Sequence, residues 1–192
     1  RGPGIGRGIG LGPGIGRSVL MQLDIAASLE LGVDGIVSGV LNKDLTIDEE
    51  RTLILAEMSR DVDFTFHRAF DLVPDQFTAL EKLSDLGVPR VLTSGGEQDV
   101  TVGSKQIGDL IKRAAGEIQI MAGGGLNTQN LETLLELGCK EFHTTAKEWI
   151  AQDFKSEVRM NAQVEIPENR YMQASAAEIQ SMIDIIASYD KE

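Results

Sequence analysis

The chain has 192 residues, a length that favours one domain. It is 42% hydrophobic and 25% charged, which is typical of a folded globular protein and excludes disorder throughout. With 18 basic and 30 acidic residues the net charge is −12, and a surface of that sign repels nucleic-acid phosphates and anionic membranes. We therefore expect neither nucleic acid nor a membrane as a partner.

Two further absences in the sequence concern location. No apolar run approaches the roughly 18 residues that span a bilayer, and the first residues show no signal-peptide pattern. The single cysteine, Cys139, cannot form an internal disulfide. These features lead us to expect a cytoplasmic protein.

The first 17 residues differ in composition from the rest of the chain. Glycine occupies every even position from Gly2 to Gly16. All spacings between these glycines are even, whereas the dinucleotide-binding pattern G-x-G-x-x-G needs an odd one. We interpret residues 1–17 as a low-complexity or artefactual segment without assigned function, and residues 18–192 as the folded domain.

From residue 18 onward, predicted helices alternate with short apolar strands. The helices fall at 18–31, 46–59, 74–86, 104–115, 127–137 and 175–188, and the strands at 34–41, 62–67, 90–94, 118–122 and 141–145. Capping boxes are expected at Thr46 with Glu49 and at Ser175 with Glu178, and Pro74 is expected in the first turn of its helix. A less regular tail separates the last strand from the last helix.

This alternation of strands and helices predicts an α/β protein with a parallel sheet. Two architectures fit the pattern, a doubly wound open sheet and a (β/α)8 barrel. A barrel normally has 200 or more residues, and only five strands are evident here. In both architectures the functional residues gather at the carboxyl ends of the strands.

Both histidines of the chain are predicted at those carboxyl ends. Because strand residues alternate between faces, Phe64 and Phe66 are expected against the helices, with His67 on the inner face. The same argument places Phe142 outside and His143 inside. We take His67, Asp71 and His143 as candidate catalytic residues, and the two histidines also as candidate metal ligands, because imidazole suits both roles near neutral pH. Each histidine could instead be a structural residue.

Glycine-rich turns follow the third and fourth strands and could bind an anion through backbone N–H groups. The candidate residues for a small anionic ligand are Arg68, Ser94, Gly95, Gly96, Gly123, Gly124 and Gly125. A helix expected to begin near Asn127 would add a favourable dipole. The glycines could equally serve tight turns that need positive φ, and Arg68 could form a salt bridge to a helix.

Cys139 is not expected to share a metal ion with His143. Four residues of strand separate them, or roughly 13 Å. One ion with bonds of about 2.0–2.3 Å cannot bridge that distance. We expect Cys139 to be a small buried apolar residue near the amino-terminal face.

Five segments of the chain resemble the CutC copper homeostasis family. They read DGIVSGVL, TFHRAFD, RVLTSGG, IMAGGG and EFHTTA, and the resemblance covers roughly residues 19–188. It implies a TIM-type (β/α)8 barrel in which the five recognisable strands are the last five, with the N-terminal three apparently missing or replaced by the glycine repeat. It also implies a cytosolic, oligomeric protein associated with copper, so that a copper ion is a possible ligand.

Three functions remain open from the sequence. The first is copper homeostasis with copper ion binding at His67 and His143. The second is an enzyme that uses these histidines on a small phosphorylated or carboxylated molecule, with Arg68 orienting the anionic group. The third is a fragment that folds only on association, since a five-stranded sheet has two edges for another chain to cover, and a homodimer is then favoured.

Overall fold

The computed structural model describes residues 13–153 and 169–189. They divide into two units, one reaching Val91 and the other starting at Leu92. The helices are α1 (Pro13–Glu30), α2 (Glu49–Met58), α3 (Gln76–Asp85), α4 (Ser104–Ala114), α5 (Leu131–Glu136) and α6 (Ala176–Tyr189), with a short 3₁₀ helix at Arg68–Leu72. The strands are β1 (Gly35–Ser38), β2 (Asp63–Phe66), β3 (Arg90–Thr93), β4 (Gln119–Gly123), β5 (Glu141–His143), β6 (Lys147–Ala151) and β7 (Arg170–Ala174). In these ranges, none of the helices is long and apolar enough for a membrane span.

The first five strands form one sheet in the order β1-β2-β3-β4-β5. Its recorded pairings, β1 with β2, β2 with β3 and β4 with β5, are parallel. Each strand lies close to the range predicted from its apolar run. The prediction of an α/β protein with a parallel sheet of five strands is therefore confirmed.

The core of each unit comes from the apolar stripes of the helices and from both faces of the strands. In the first unit Phe64 and Phe66 are almost completely buried, as expected for side chains packed against helices. Thr65 between them is buried as well, because strands of a parallel sheet are covered on both sides. In the second unit the most buried side chains are Ile107, Leu110, Ile118, Leu131 and Leu134.

The start of α2 differs from the predicted capping box. Asp48 is the N-cap, and its Oδ1 accepts a hydrogen bond from the Arg51 N–H at 3.0 Å. Thr46 instead donates its hydroxyl and its N–H to Asp44 Oδ1, at 2.7 and 3.1 Å. The prediction of a Thr46–Glu49 box is wrong, because a carboxylate one residue before the helix accepts its first N–H groups directly.

The start of α3 shows the same correction. Asp75 is the N-cap, and its Oδ1 accepts hydrogen bonds from the N–H groups of Phe77 and Thr78. Pro74 lies before the cap and not in the first helical turn, so that prediction is also wrong. The Thr78 side-chain and backbone hydrogen bonds lower the pKa of Asp75 from its ordinary value.

The remaining differences lie near the two ends of the chain. Helix α1 begins at Pro13, inside the segment interpreted as low complexity, and the rest of that segment lies outside the described residues. The irregular tail contains the antiparallel pair β6–β7, which the sequence did not predict. Helix α6 is confirmed, with the Glu178 N–H donating to Ser175 Oγ at 3.4 Å as half of the expected capping box.

Candidate functional site

His67 follows β2 and begins the 3₁₀ helix as its N-cap. Its backbone N–H donates to the Ser38 carbonyl at 3.1 Å, which extends the β1–β2 ladder by one residue. Its imidazole Nδ1 accepts a hydrogen bond from the Ala69 N–H at 3.3 Å. A ring nitrogen that accepts a hydrogen bond carries no proton, so this contact assigns the proton of the neutral ring to Nε2.

The imidazole of His67 packs against two neighbours. Its ring centroid lies 5.8 Å from that of Phe66, in an edge-to-face arrangement. On another side lies Gly39, where an added Cβ would be 2.9 Å from His67 Nδ1 and 3.0 Å from Cε1. Sequence reasoning missed Gly39, and the signal that could have found it was a glycine inside the predicted strand 34–41, where glycine often marks a close approach.

The face of the sheet on which His67 lies follows from the register. Val37 pairs with Thr65, so the next pair on that face is Gly39 with His67. Val37 is 63% exposed, whereas Ser38 on the opposite face is buried. His67 therefore shares a face with the exposed Val37 and the buried Thr65, and is itself half-buried.

Arg68 and Asp71 form an ion pair within the 3₁₀ helix that follows His67. Arg68 Nε donates to Asp71 Oδ2 at 2.7 Å, and the Asp71 side chain is only 7% exposed. This pairing agrees with the salt-bridge alternative for Arg68. It also occupies one oxygen of the carboxylate that was taken as a candidate catalytic group.

Ser94, Gly95 and Gly96 form a tightly packed turn after β3. The Gly95 N–H donates to Thr93 Oγ1 at 2.9 Å, and the Ser94 hydroxyl donates to the Glu97 carbonyl at 2.5 Å. Gly95 and Gly96 both have positive φ. A Cβ on Gly95 would collide with the Gly103 carbonyl, so glycine is required here by close backbone packing as well as by φ.

Gly123, Gly124 and Gly125 form the turn after β4, and this turn contacts the loop between β3 and α4. The Val100 N–H donates to the Gly124 carbonyl at 2.9 Å. A Cβ on Gly125, whose φ is +74°, would lie 3.0 Å from Asp99 Cβ. Gly124 and Gly125 therefore bring the β4 turn against the loop between β3 and α4, whereas Gly95 packs within that loop.

The helix dipole expected near Asn127 is not where the sequence placed it. Helix α5 begins at Leu131 and has six residues. The N–H groups before it donate to side chains: that of Asn127 to Asn130 Oδ1, and that of Thr128 to Glu178 Oε1, both at 2.9 Å. The prediction of a helix start at Asn127 is wrong, because these side-chain acceptors hold the segment as a loop.

His143 ends β5 and is exposed. It pairs with Gly123 in the sheet, and a Cβ on that glycine would lie 3.0 Å from His143 Cβ. The structure thus brings His143 beside the β4 turn within the second unit, and brings His67, Arg68 and Asp71 together within the first.

Cys139 lies just before β5 and is buried, as expected. Its Sγ lies 3.3 Å from the Glu141 carbonyl oxygen and 3.5 Å from that of Ile120. Burial raises the pKa of this thiol. Throughout residues 13–153 and 169–189, no three His, Cys, Asp or Glu side chains are grouped so that they could hold a metal ion.

Five parallel strands with polar or glycine-rich residues at their carboxyl ends define an α/β protein of the kind that binds ligands at that end of a sheet. The sequence model of the CutC family matches residues 17–148. The chain belongs to the CutC family.

Similar proteins carry the same family name. The chain is 46% identical over 128 residues to a CutC family protein of Parabacteroides distasonis and 44% identical over 129 residues to the mouse copper homeostasis protein cutC homolog. Those matches cover 66% and 67% of this chain, and 53% and 47% of the relatives. The chain thus spans about half the length of these curated relatives. With a CutC protein of Klebsiella pneumoniae the identity is 38%, over 88% of this chain and 69% of that one.

Two solved structures resemble this fold. The crystal structure of the CutC protein from Streptococcus agalactiae superposes with a TM-score of 0.62 at 31% identity, over 66% of this chain and 62% of that chain. A native KDPGal structure gives a TM-score of 0.56 at 12% identity, over 89% of this chain and 66% of the other. The second likeness concerns the fold alone.

Proposed function

We propose that this chain acts in copper homeostasis, the role named for its mouse and human relatives. The observation that carries the proposal is the family match over residues 17–148, together with 44% and 43% identity to those two proteins. We extend it to a cytoplasmic protein whose five sequential parallel strands are part of a (β/α)8 barrel. The same proposal includes a homo-oligomer, with a dimer favoured, because the edges of an open sheet attract further strands.

Complementation in a copper-sensitive bacterial strain that lacks its own CutC protein tests this role. Restored growth at raised copper concentration is expected on expression of the chain. A folded, expressed chain that leaves the strain as sensitive as before would contradict the proposal. Thermal unfolding at several protein concentrations tests the oligomer, because the midpoint of an obligate oligomer rises with concentration.

Neither Cys139 nor His67 offers the donor atom that a Cu(I) site needs. Cu(I) prefers thiolate and thioether ligands, but burial keeps the Cys139 thiol protonated and its sulfur faces carbonyl oxygens. At His67, Nδ1 accepts a backbone N–H and Nε2 carries the proton. This leaves His143, which is exposed, as the better placed of the two predicted copper ligands.

Cu(I) titration against a competing chelator tests direct copper binding at the histidines. We expect His67→Ala to have the affinity of the wild type, because the His67 ring has no lone pair to offer in this geometry. A loss of tenfold or more in His67→Ala would contradict this assignment. A loss confined to His143→Ala would locate a copper ligand at the end of β5.

A second candidate function is acid–base chemistry or recognition at His67 on a small anionic molecule. The favouring observation is the ring orientation, with Nδ1 bound to the Ala69 N–H and Nε2–H left as the donor. A neutral imidazole held in one tautomer can donate a hydrogen bond to an oxygen of a carboxylate or phosphate. Ser94 to Gly96, Gly123 to Gly125 and Arg68 remain proposed contributors of anion contacts.

Two substitutions of His67 separate its two nitrogens. The shorter amide of His67→Asn would keep an acceptor for the Ala69 N–H but lose Nε2–H, whereas the amide of His67→Gln would keep a donor near Nε2 and lose the cap. Binding of small phosphorylated and carboxylated compounds should weaken about 10- to 100-fold in His67→Asn, the loss of one charge-assisted hydrogen bond. His143→Asn is the control, and an equal loss there would remove the specific role of His67.

A further inference from the structure

We propose that Gly39 is a positioning residue for His67, and that the ring it positions binds a hydrogen-bond-accepting oxygen of a carboxylate or phosphate. The identity of the ligand rests on the proposed acid–base function at His67. The positioning role of Gly39 stands on the geometry of β1 and β2.

Gly39 leaves space that a larger residue would fill. A Cβ at this position would lie 2.9 Å from both His67 Nδ1 and Phe66 Cζ, closer than real Cβ atoms approach other heavy atoms. The φ of Gly39 does not fall in the left-handed region, so the backbone conformation is open to other residues. What requires glycine here is therefore the pair of rings at the end of β2.

Two contacts fix the imidazole of His67: the Ala69 N–H binds Nδ1, and Phe66 meets the ring edge to face. Gly39 leaves free the space beside the ring that a Cβ would occupy. A residue with a side chain at Gly39 would push the ring away from the Ala69 N–H. The hydrogen bond that selects the Nε2–H tautomer would then be lost.

The orientation of the ring determines the chemistry of the ligand. With its proton on Nε2, His67 offers a donor and no lone pair. An oxygen of a carboxylate or phosphate matches that donor. A metal ion would need the proton moved to Nδ1, where it would face the Ala69 N–H.

The chain offers a matched control for Gly39. Gly35 begins β1, the strand that Gly39 follows, and it also lies beside β2. An added Cβ at Gly35 would be 3.0 Å from the Asp63 carbonyl oxygen and 3.1 Å from Asp63 Cβ. Gly35→Ala therefore crowds the β1–β2 pair as Gly39→Ala does, without adding an atom beside the His67 ring.

Nitrogen NMR of the full chain labelled with ¹⁵N-histidine reads the tautomer directly. The chain has two histidines, so His143 serves as an internal reference. We expect the wild type and Gly35→Ala to show an unprotonated Nδ1 and a protonated Nε2 at His67, and Gly39→Ala to show a mixture of tautomers. An unchanged His67 tautomer in Gly39→Ala, or an equal change in Gly35→Ala, would overturn the positioning role.

A second measurement applies where Gly39→Ala does not fold. His67→Ala removes the ring that the new Cβ would meet, so adding Gly39→Ala to it should lower the unfolding midpoint less than in the wild-type background. An equal decrease in both backgrounds would place the clash elsewhere and contradict the proposal.

Titration with inorganic phosphate and with acetate tests the ligand. We expect the wild type and Gly35→Ala to bind one of the two anions, and Gly39→Ala to bind it at least tenfold more weakly, with the shift centred on His67. A wild-type chain that shows the expected tautomer but binds neither anion would overturn the ligand assignment and the acid–base function, and would leave the positioning role of Gly39 standing.

Discussion

Glycine has a different role beside His67 than in the two glycine turns of the second unit. In the first unit, Gly39 makes room for a side chain, the His67 ring. In the second unit, Gly95 and Gly125 make room for other parts of the protein, the Gly103 backbone and the Asp99 side chain. A glycine-rich strand end is therefore no evidence of a ligand until its neighbours are known.

The two regions also differ in how their polar groups are hydrogen-bonded. The β4 turn leads into N–H groups that donate to the chain's own side chains, among them Thr128 to Glu178. At His67 the described residues supply one hydrogen-bond partner to the ring, the Ala69 N–H at Nδ1. This difference supports the proposal that ligand chemistry lies at His67, and it shows that the glycines nearest the loop contacts serve packing within the protein.

The largest expected effect, and the sharpest test of this contrast, is at Gly95. Gly95→Ala combines a positive φ of +78° with a collision against the Gly103 backbone, and should lower the free energy of unfolding by about 2–4 kcal/mol. Gly116→Ala is the control, since its φ is +87° but its Cβ would meet nothing within 4 Å, and about 1 kcal/mol is expected. Urea unfolding measures both. Equal losses would show that φ alone explains Gly95.

An intermediate effect is expected at Glu178, which holds the β4–α5 loop from α6. Glu178→Gln keeps an acceptor oxygen for the Thr128 N–H but removes its charge, which should cost about 1 kcal/mol of unfolding free energy. Hydrogen exchange of the Thr128 amide should also become faster. Glu136→Gln, at an exposed position of α5, is the control, and unchanged exchange in Glu178→Gln would show that the charge does not secure the loop.

The smallest effect is expected at Asp75, the exposed N-cap of α3 in the first unit. The Thr78 hydrogen bonds hold the pKa of its carboxyl below the ordinary 3.8 in the folded state. A depressed folded pKa contributes stability that is present above 3.8 and lost as the pH falls through the folded value. Asp75→Ala should therefore be less stable than the wild type near neutral pH, with the difference shrinking below 3.8. A difference independent of pH would exclude the ionised cap as its source.

The pattern of the sequence was sufficient for the parallel strands and for the position of His67. Short apolar runs separated by amphipathic helices indicate parallel strands, because parallel strands are joined by crossover helices that cover both faces of the sheet. Cys139, which lies just before β5, was also predicted correctly as a buried residue.

The predictions failed where side chains compete for the backbone. Asp48 and Asp75 cap α2 and α3 away from the expected signals. Asn130 and Glu178 hold the segment before α5 as a loop, although a helix was predicted to begin at Asn127. The pair β6–β7 was missed because a long connection separates its two strands, so the local sequence of neither strand indicates the other as its partner.

By itself, then, the sequence determined the class of fold, the family and the strand end at which His67 lies, because these follow from local periodicity and from motifs that are contiguous in the chain. Only the tertiary structure decided which nitrogen of His67 carries the proton and which glycines pack against backbone. Those properties depend on the register between strands far apart in sequence, such as Ser38 against Phe66, and a shift of one residue would reverse which side chains face each other.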